Sequence, residues 1–141
     1  MEITKVQKKQ LHKIGKDHQL DFIILHGSYA KGTSYRGSDL DIAYVGGTKH
    51  NLDEYLRIFS QLEDIFGNNL QRELDVKELR YTDPLFRYHV VRDGILLFGN
   101  PTAYAEFKSY AYRDYIDSHD LRKLQDVLLK KSIKELSQRY A

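Results

Sequence analysis

The sequence predicts an α/β or α+β domain built on a small mixed sheet, and three observations carry that reading. Short apolar or alternating runs recur at 22–25, 39–45, 72–79 and 95–98, all but the third close to glycine. Longer stretches with helical spacing separate them, the arrangement of strands interleaved with helices. No repeat, low-complexity tract or Pro/Gly/Ser-rich linker divides the 141 residues, which is ample length for one core.

Taken in order, residues 2–17 read as an amphipathic helix with Ile3, Val6, Leu11 and Ile14 on one side. Phe22 to Leu25 is a continuous apolar run ending at Gly27, as a buried strand would be. Asp39 to Val45 forms a second strand, closed by Gly46 and Gly47. Asn51 and Glu54 make an N-capping pair for a helix carrying Leu52, Tyr55, Leu56, Phe59, Leu62 and Phe66, with Gly67 as its stop. Arg72 to Leu79 alternates and predicts a third strand. Pro84 to Val91 predicts a short helix, and Gly94 introduces a fourth strand at Ile95–Phe98. Asn100-Pro101 opens another helix, with proline in the first turn. Asp117 to Asp120 is expected to break or kink it. Leu121, Leu124, Leu128, Ile133 and Leu136 then mark a last amphipathic helix.

Composition narrows the function classes. The formal charge of +2 is too small to argue for nucleic-acid binding on electrostatics. With no cysteine, disulfides and thiolate metal sites are excluded, and a reducing compartment is compatible. The N-terminus lacks a signal-peptide core, and no apolar run approaches the roughly 20 residues that span a bilayer. The expectation is a cytoplasmic protein with no membrane partner.

The chemistry concentrates between His26 and Val45. Residues two apart on a strand share a face, about 6.5–7 Å apart. Asp39 and Asp41 therefore point one way, while Leu40, Ile42 and Tyr44 point to the expected core. Two nearby carboxylates raise each other's pKa unless a cation lies between them, and hard oxygen donors of this kind suit Mg²⁺. The third strand repeats the pattern: Leu74 and Val76 face one way, and Glu73, Asp75 and Lys77 the other. If the strands are neighbours, Asp75 joins Asp39 and Asp41. Such a set can hold two metal ions about 3.5–4 Å apart, and Asp75 could serve as base toward an attacking hydroxyl. Upstream, Gly27-Ser28 opens a short turn whose backbone N–H groups favour phosphate, with Lys31 and Arg36 as nearby cations. Neither a Walker P-loop nor G-x-G-x-x-G occurs.

Each of these signals is weak when taken singly. Most Asp-x-Asp pairs are solvated edges, and lone loop cations are usually solvated too. His26 reads as a hydrogen-bonded residue at a strand end. The remaining histidines, His12, His18, His50, His89 and His119, show no pairing at metal-ligand spacing. The stretch "YHVVRDG" lacks a placed nucleophile, so no triad is built on it. The order of the parts carries the reading: strand, Gly-Ser, loop, Asp-x-Asp strand, helix, third-acid strand.

That order resembles the signature of the DNA polymerase β-type nucleotidyltransferase superfamily: Gly-Ser, ten residues, then Asp-x-Asp. "GSYAKGTSYRGSDLD" meets the spacing without adjustment, since residues 29–38 supply the ten. "ELDVKEL" and "DPLFRYHVVRDGILLFGNP" resemble the rest of a minimal nucleotidyltransferase, so the similarity covers nearly the whole chain. The resemblance implies a mixed, mainly antiparallel sheet flanked by helices. It also implies one minimal domain over 1–141, with a catalytic part at 1–100 and C-terminal helices at 101–141. It implies ATP as substrate and Mg²⁺, two ions, as cofactor. Gly27 and Ser28 would bind the triphosphate, Asp39 and Asp41 would ligate both metals, and Asp75, or Glu73 on the same face, would complete the set. Minimal enzymes of this length often pair with a small helical toxin of the HEPT type, encoded alongside. The resemblance thus implies an antitoxin that transfers AMP to a tyrosine of that toxin. Two other readings stand beside it. One is a nucleotidyltransferase for small molecules such as aminoglycosides, which would need more acceptor-holding structure than residues 101–141 offer. The other is a non-catalytic partner-binding module using the Leu121–Ile133 face. Oligomeric state is left open.

Overall fold

A computed structural model describes residues 1–46 and 51–140, so the expectations placed on Gly47 and His50 lie outside the described residues. Helix α1 (Lys5–Asp17) starts later than its apolar pattern suggests, because Thr4 forms a capping box. Its side chain accepts from the Gln7 N–H, while the Gln7 side chain accepts from the Thr4 N–H. Strand β1 (Leu20–His26) leads directly into the five-residue helix α2 (Gly27–Lys31), and a loop returns the chain to β2 (Leu40–Gly46). Asn51 caps α3 (Leu52–Phe66) by accepting from the Glu54 N–H, as expected, and Gly67 ends it. The Glu54 carboxylate reaches across to His18 Nδ1 at the end of α1, and His18 Nε2 meets Gln61 at 2.7 Å, so one imidazole ties α1 to α3.

Strand β3 (Leu74–Glu78) ends in a 3₁₀ turn at Leu79–Tyr81. Helix α4 (Pro84–Asp93), strand β4 (Ile95–Phe98) and helix α5 (Pro101–Arg139) complete the chain. The sheet order is β3-β2-β1-β4. Strand β1 runs antiparallel to both β2 and β4, and β2 pairs with β3 in parallel. A parallel pair needs a crossover, and α3 supplies it. This is the small, mainly antiparallel mixed sheet that the sequence implied.

Both faces of that sheet are covered. On one, Ile23, Leu25, Leu40, Ile42, Tyr44, Leu74 and Val76 pack against Leu11 and Ile14 of α1 and against Ile58, Leu62 and Phe66 of α3. On the other, Phe22, Ile24, Ala43 and Val45 pack against Val90 and Val91 of α4 and against Tyr104 and Ala111 of α5. Assigning β2 one core face, that of Leu40, Ile42 and Tyr44, was therefore half of the answer. The face that begins with Asp39 and Asp41 is also buried from Ala43 onward, because α4 and α5 close over it. The acids occupy the open end of an otherwise apolar layer.

One expectation for α5 is corrected. The helix passes through Asp117–Asp120 without interruption. None of these residues is glycine or proline, and the Ser118 hydroxyl donates to the Tyr115 carbonyl and accepts from Arg122. The stripe of Leu121, Leu124, Leu128, Ile133 and Leu136 is open to solvent, each residue being more than half exposed. Among the described residues, no helix is both long and apolar enough to cross a membrane.

Candidate active site

The strand register brings the key residues into one row. His26 of β1 lies opposite Asp41 of β2, and Asp41 lies opposite Asp75 of β3. Directly paired residues share a face, so all three point to the side covered by α4. Gly27 follows in a left-handed conformation, φ +70°, and a Cβ placed on it would collide with Asp41 Oδ2. Sequence reasoning assigned Gly27 to close approach of a phosphate. The structure adds a nearer reason: glycine makes room for the Asp41 carboxylate itself.

Electrostatics follow from this crowding. Burial, then the neighbouring Asp75 and Asp39, push the Asp41 carboxyl up to about 6 against the opposing effect of Lys77. Lys77 Nζ donates to Asp75 at 3.0 and 3.4 Å and lies 5.7 Å from the centre of the Phe86 ring. His26 is buried, and burial lowers its pKa to about 4, so it is neutral at pH 7. The reading of His26 as a hydrogen-bonded strand end is corrected at Nε2, which has no hydrogen-bond partner among the described residues. The reason is its apolar cover: Phe86 stands edge-on to the imidazole at 5.9 Å.

The remaining candidates surround this row. Asp39 is exposed just before β2, held by a turn in which Ser38 Oγ accepts from the Tyr35 N–H. Glu73 is exposed one residue before β3, where its carbonyl accepts from the Leu40 N–H. Ser28 is half-buried in α2. Lys31, at the end of α2, leans toward α4, with Nζ 3.7 Å from Asp93, and Arg92 grips the same Asp93 at 2.7 and 2.9 Å. Arg36 is exposed on the loop. The fold thus joins Gly27, Asp41 and Asp75 closely, sets Asp39 at the rim, and leaves Arg36 in solvent.

Sequence reasoning gave no role to Lys77, Phe86 or Arg87. Arg87 is buried and donates to the carbonyls of Leu79, Arg80 and Thr82 and to Asp114, at 2.7–3.2 Å. It locks the turn after β3 to α4 and α5. Only the alternation of β3, which puts Lys77 beside Asp75, was visible beforehand.

Residues 9–103 match the family described as Polymerase beta, Nucleotidyltransferase, a span that includes the whole row. The chain belongs to this nucleotidyltransferase family. It is similar to the protein adenylyltransferase MntA of Shewanella oneidensis, at 30% identity over 69% of this chain and 68% of that protein. It is also similar to the protein adenylyltransferase MntA of Aphanizomenon flos-aquae, at 28% identity over 98% of this chain and 94% of that one. Among solved structures, the nucleotidyltransferase fold superposes on a toxin–antitoxin structure with AMP-PNP. The TM-score is 0.68 at 25% identity, covering 86% of this chain and 98% of that chain.

Among the described residues, no three His, Cys, Asp or Glu side chains converge as a ready-made metal cage. The donor set nevertheless fits a divalent cation. Asp41 and Asp75 are opposed carboxylates of hard oxygen type, with Asp39 adding charge, and their mutual repulsion is what a cation relieves.

Proposed function

We propose that this nucleotidyltransferase is an antitoxin that transfers AMP from ATP to a tyrosine hydroxyl of a cognate HEPT-type toxin. The single observation that carries the chemistry is the opposed pair Asp41 and Asp75 beside the Gly27 turn. The relatives named protein adenylyltransferase support the choice of group and acceptor class.

In this reading Gly27 and Ser28 position the triphosphate with backbone N–H groups and a hydroxyl, and Lys31 and Arg36 meet its outer charge. Asp39 and Asp41 would hold Mg²⁺, joined by Asp75 at a second ion. Bound Mg²⁺ neutralises the charge that develops on the transferred phosphoryl group. Asp75 faces the acceptor and takes the proton of the tyrosine hydroxyl as its oxygen bonds to the α-phosphorus. The bond from that phosphorus to the bridging oxygen breaks, and pyrophosphate leaves. An AMP on the toxin adds bulk and negative charge where an RNA phosphate would otherwise sit.

The test is intact mass spectrometry of the toxin encoded beside this chain, incubated with the chain, ATP and Mg²⁺. One or more added AMP units, absent with the Asp39→Asn/Asp41→Asn variant, is the expected result. An unmodified toxin in a stable complex would overturn the catalytic part and leave a binding module. Modification of a small-molecule acceptor instead would move the substrate.

A further inference from the structure

We propose that Lys77 is an internal counter-cation that occupies Asp75 until a divalent ion displaces it, and so sets the cation affinity of the site. This rests on the reading of Asp39, Asp41 and Asp75 as cation ligands.

Asp75 and Lys77 alternate on β3 and share the face that carries the acids. The Lys77 ammonium is bonded to both oxygens of Asp75, at 3.0 and 3.4 Å, so the ligand atoms of that carboxylate are already engaged by a positive charge. A second interaction holds the ammonium there, since it lies over the face of Phe86 at 5.7 Å. Phe86 is fixed in turn, packed against the core and standing perpendicular to the His26 ring. A divalent ion entering between Asp41 and Asp75 must therefore break an existing pair. Both side chains of that pair are 42% exposed, so it is a modest barrier rather than a lock. The arrangement keeps two repelling carboxylates compatible with the folded chain when no metal is bound, at the expense of affinity for the bare ion.

The probe is Mn²⁺ alone, without nucleotide, titrated at pH 8 into the full chain while the free-ion signal is followed by electron paramagnetic resonance. Lys77→Met should bind Mn²⁺ about two- to fivefold more tightly than the parent, the scale expected for loss of an exposed ion pair. Lys77→Arg should stay near the parent, because it keeps the charge. In an Asp75→Asn background the gain from Lys77→Met should shrink, leaving only the longer-range effect of that charge on Asp41. Unchanged or weaker binding by Lys77→Met, with Asp75→Asn still weakening it, would overturn the role of Lys77 and leave the ligand assignment standing. Mn²⁺ binding indifferent to Asp75→Asn and to Asp39→Asn/Asp41→Asn would overturn the ligand assignment, and this inference with it.

Discussion

Asp41 and Asp75 stand directly opposite each other across the parallel β2–β3 pair, and the Asp75 charge adds to burial in holding the Asp41 carboxyl up. Two acids in that relation cannot both ionise freely, and the site's behaviour without metal follows from this.

The first consequence concerns pH. Burial and the two neighbouring carboxylates raise Asp41 from 3.8 to about 6. Its contribution to stability is complete below 3.8 and is lost as pH rises through about 6. At pH 7.5 the ionised Asp41 destabilises the metal-free fold. Asp41→Asn should therefore melt at a higher temperature than the parent at pH 7.5, with the gap closing toward pH 4. The same variant should lose nucleotidyl transfer, because a neutral amide is a poor cation ligand. Differential scanning fluorimetry at the two pH values, paired with a transfer assay, checks both halves. A variant less stable at pH 7.5 would contradict the assigned repulsion.

A second expectation concerns Gly27. Alanine there meets two penalties, the left-handed backbone and the collision with Asp41 Oδ2. The backbone part alone costs about 1–2 kcal/mol. Gly27→Ala should exceed that figure in the parent, and fall back to it when Asp41 is also alanine. Urea unfolding of the two single variants and the double variant measures this coupling.

Arg87 offers a test away from the chemistry. Replacing it with methionine removes four hydrogen bonds and takes their guanidinium donor from the carbonyls of Arg80 and Thr82, while the Leu79 carbonyl keeps the Thr82 hydroxyl and N–H. A loss of about 2–4 kcal/mol is expected from equilibrium unfolding. A change below about 0.5 kcal/mol would show that the turn after β3 is held by other means.

Local periodicity made much of this molecule legible. Alternation alone set Leu40, Ile42, Leu74 and Val76 on one face and Asp41 and Asp75 on the other, which the register confirms. Capping chemistry at Asn51 and the proline at Pro101 marked helix starts correctly. Relations between distant segments were not legible. That β2 is buried on its acid side as well depends on Val90, Val91, Tyr104 and Ala111, far along the chain. The surroundings of His26 depend on Phe86, and the bonds of Arg87 depend on a turn whose path only tertiary packing defines. The burial of the end of α5 was not legible for a different reason. Its leucines have helical spacing, and spacing cannot tell a core stripe from an exposed one.

The contact between the Gly27 turn and Asp41 also constrains how this protein can change over generations. Every replacement at position 27 adds a Cβ, and that atom meets the carboxylate opposite. The acid opposite and the left-handed backbone together hold position 27 to glycine. A descendant that gave up Asp41 would remove the collision at position 27 and leave the left-handed backbone as the remaining obstacle.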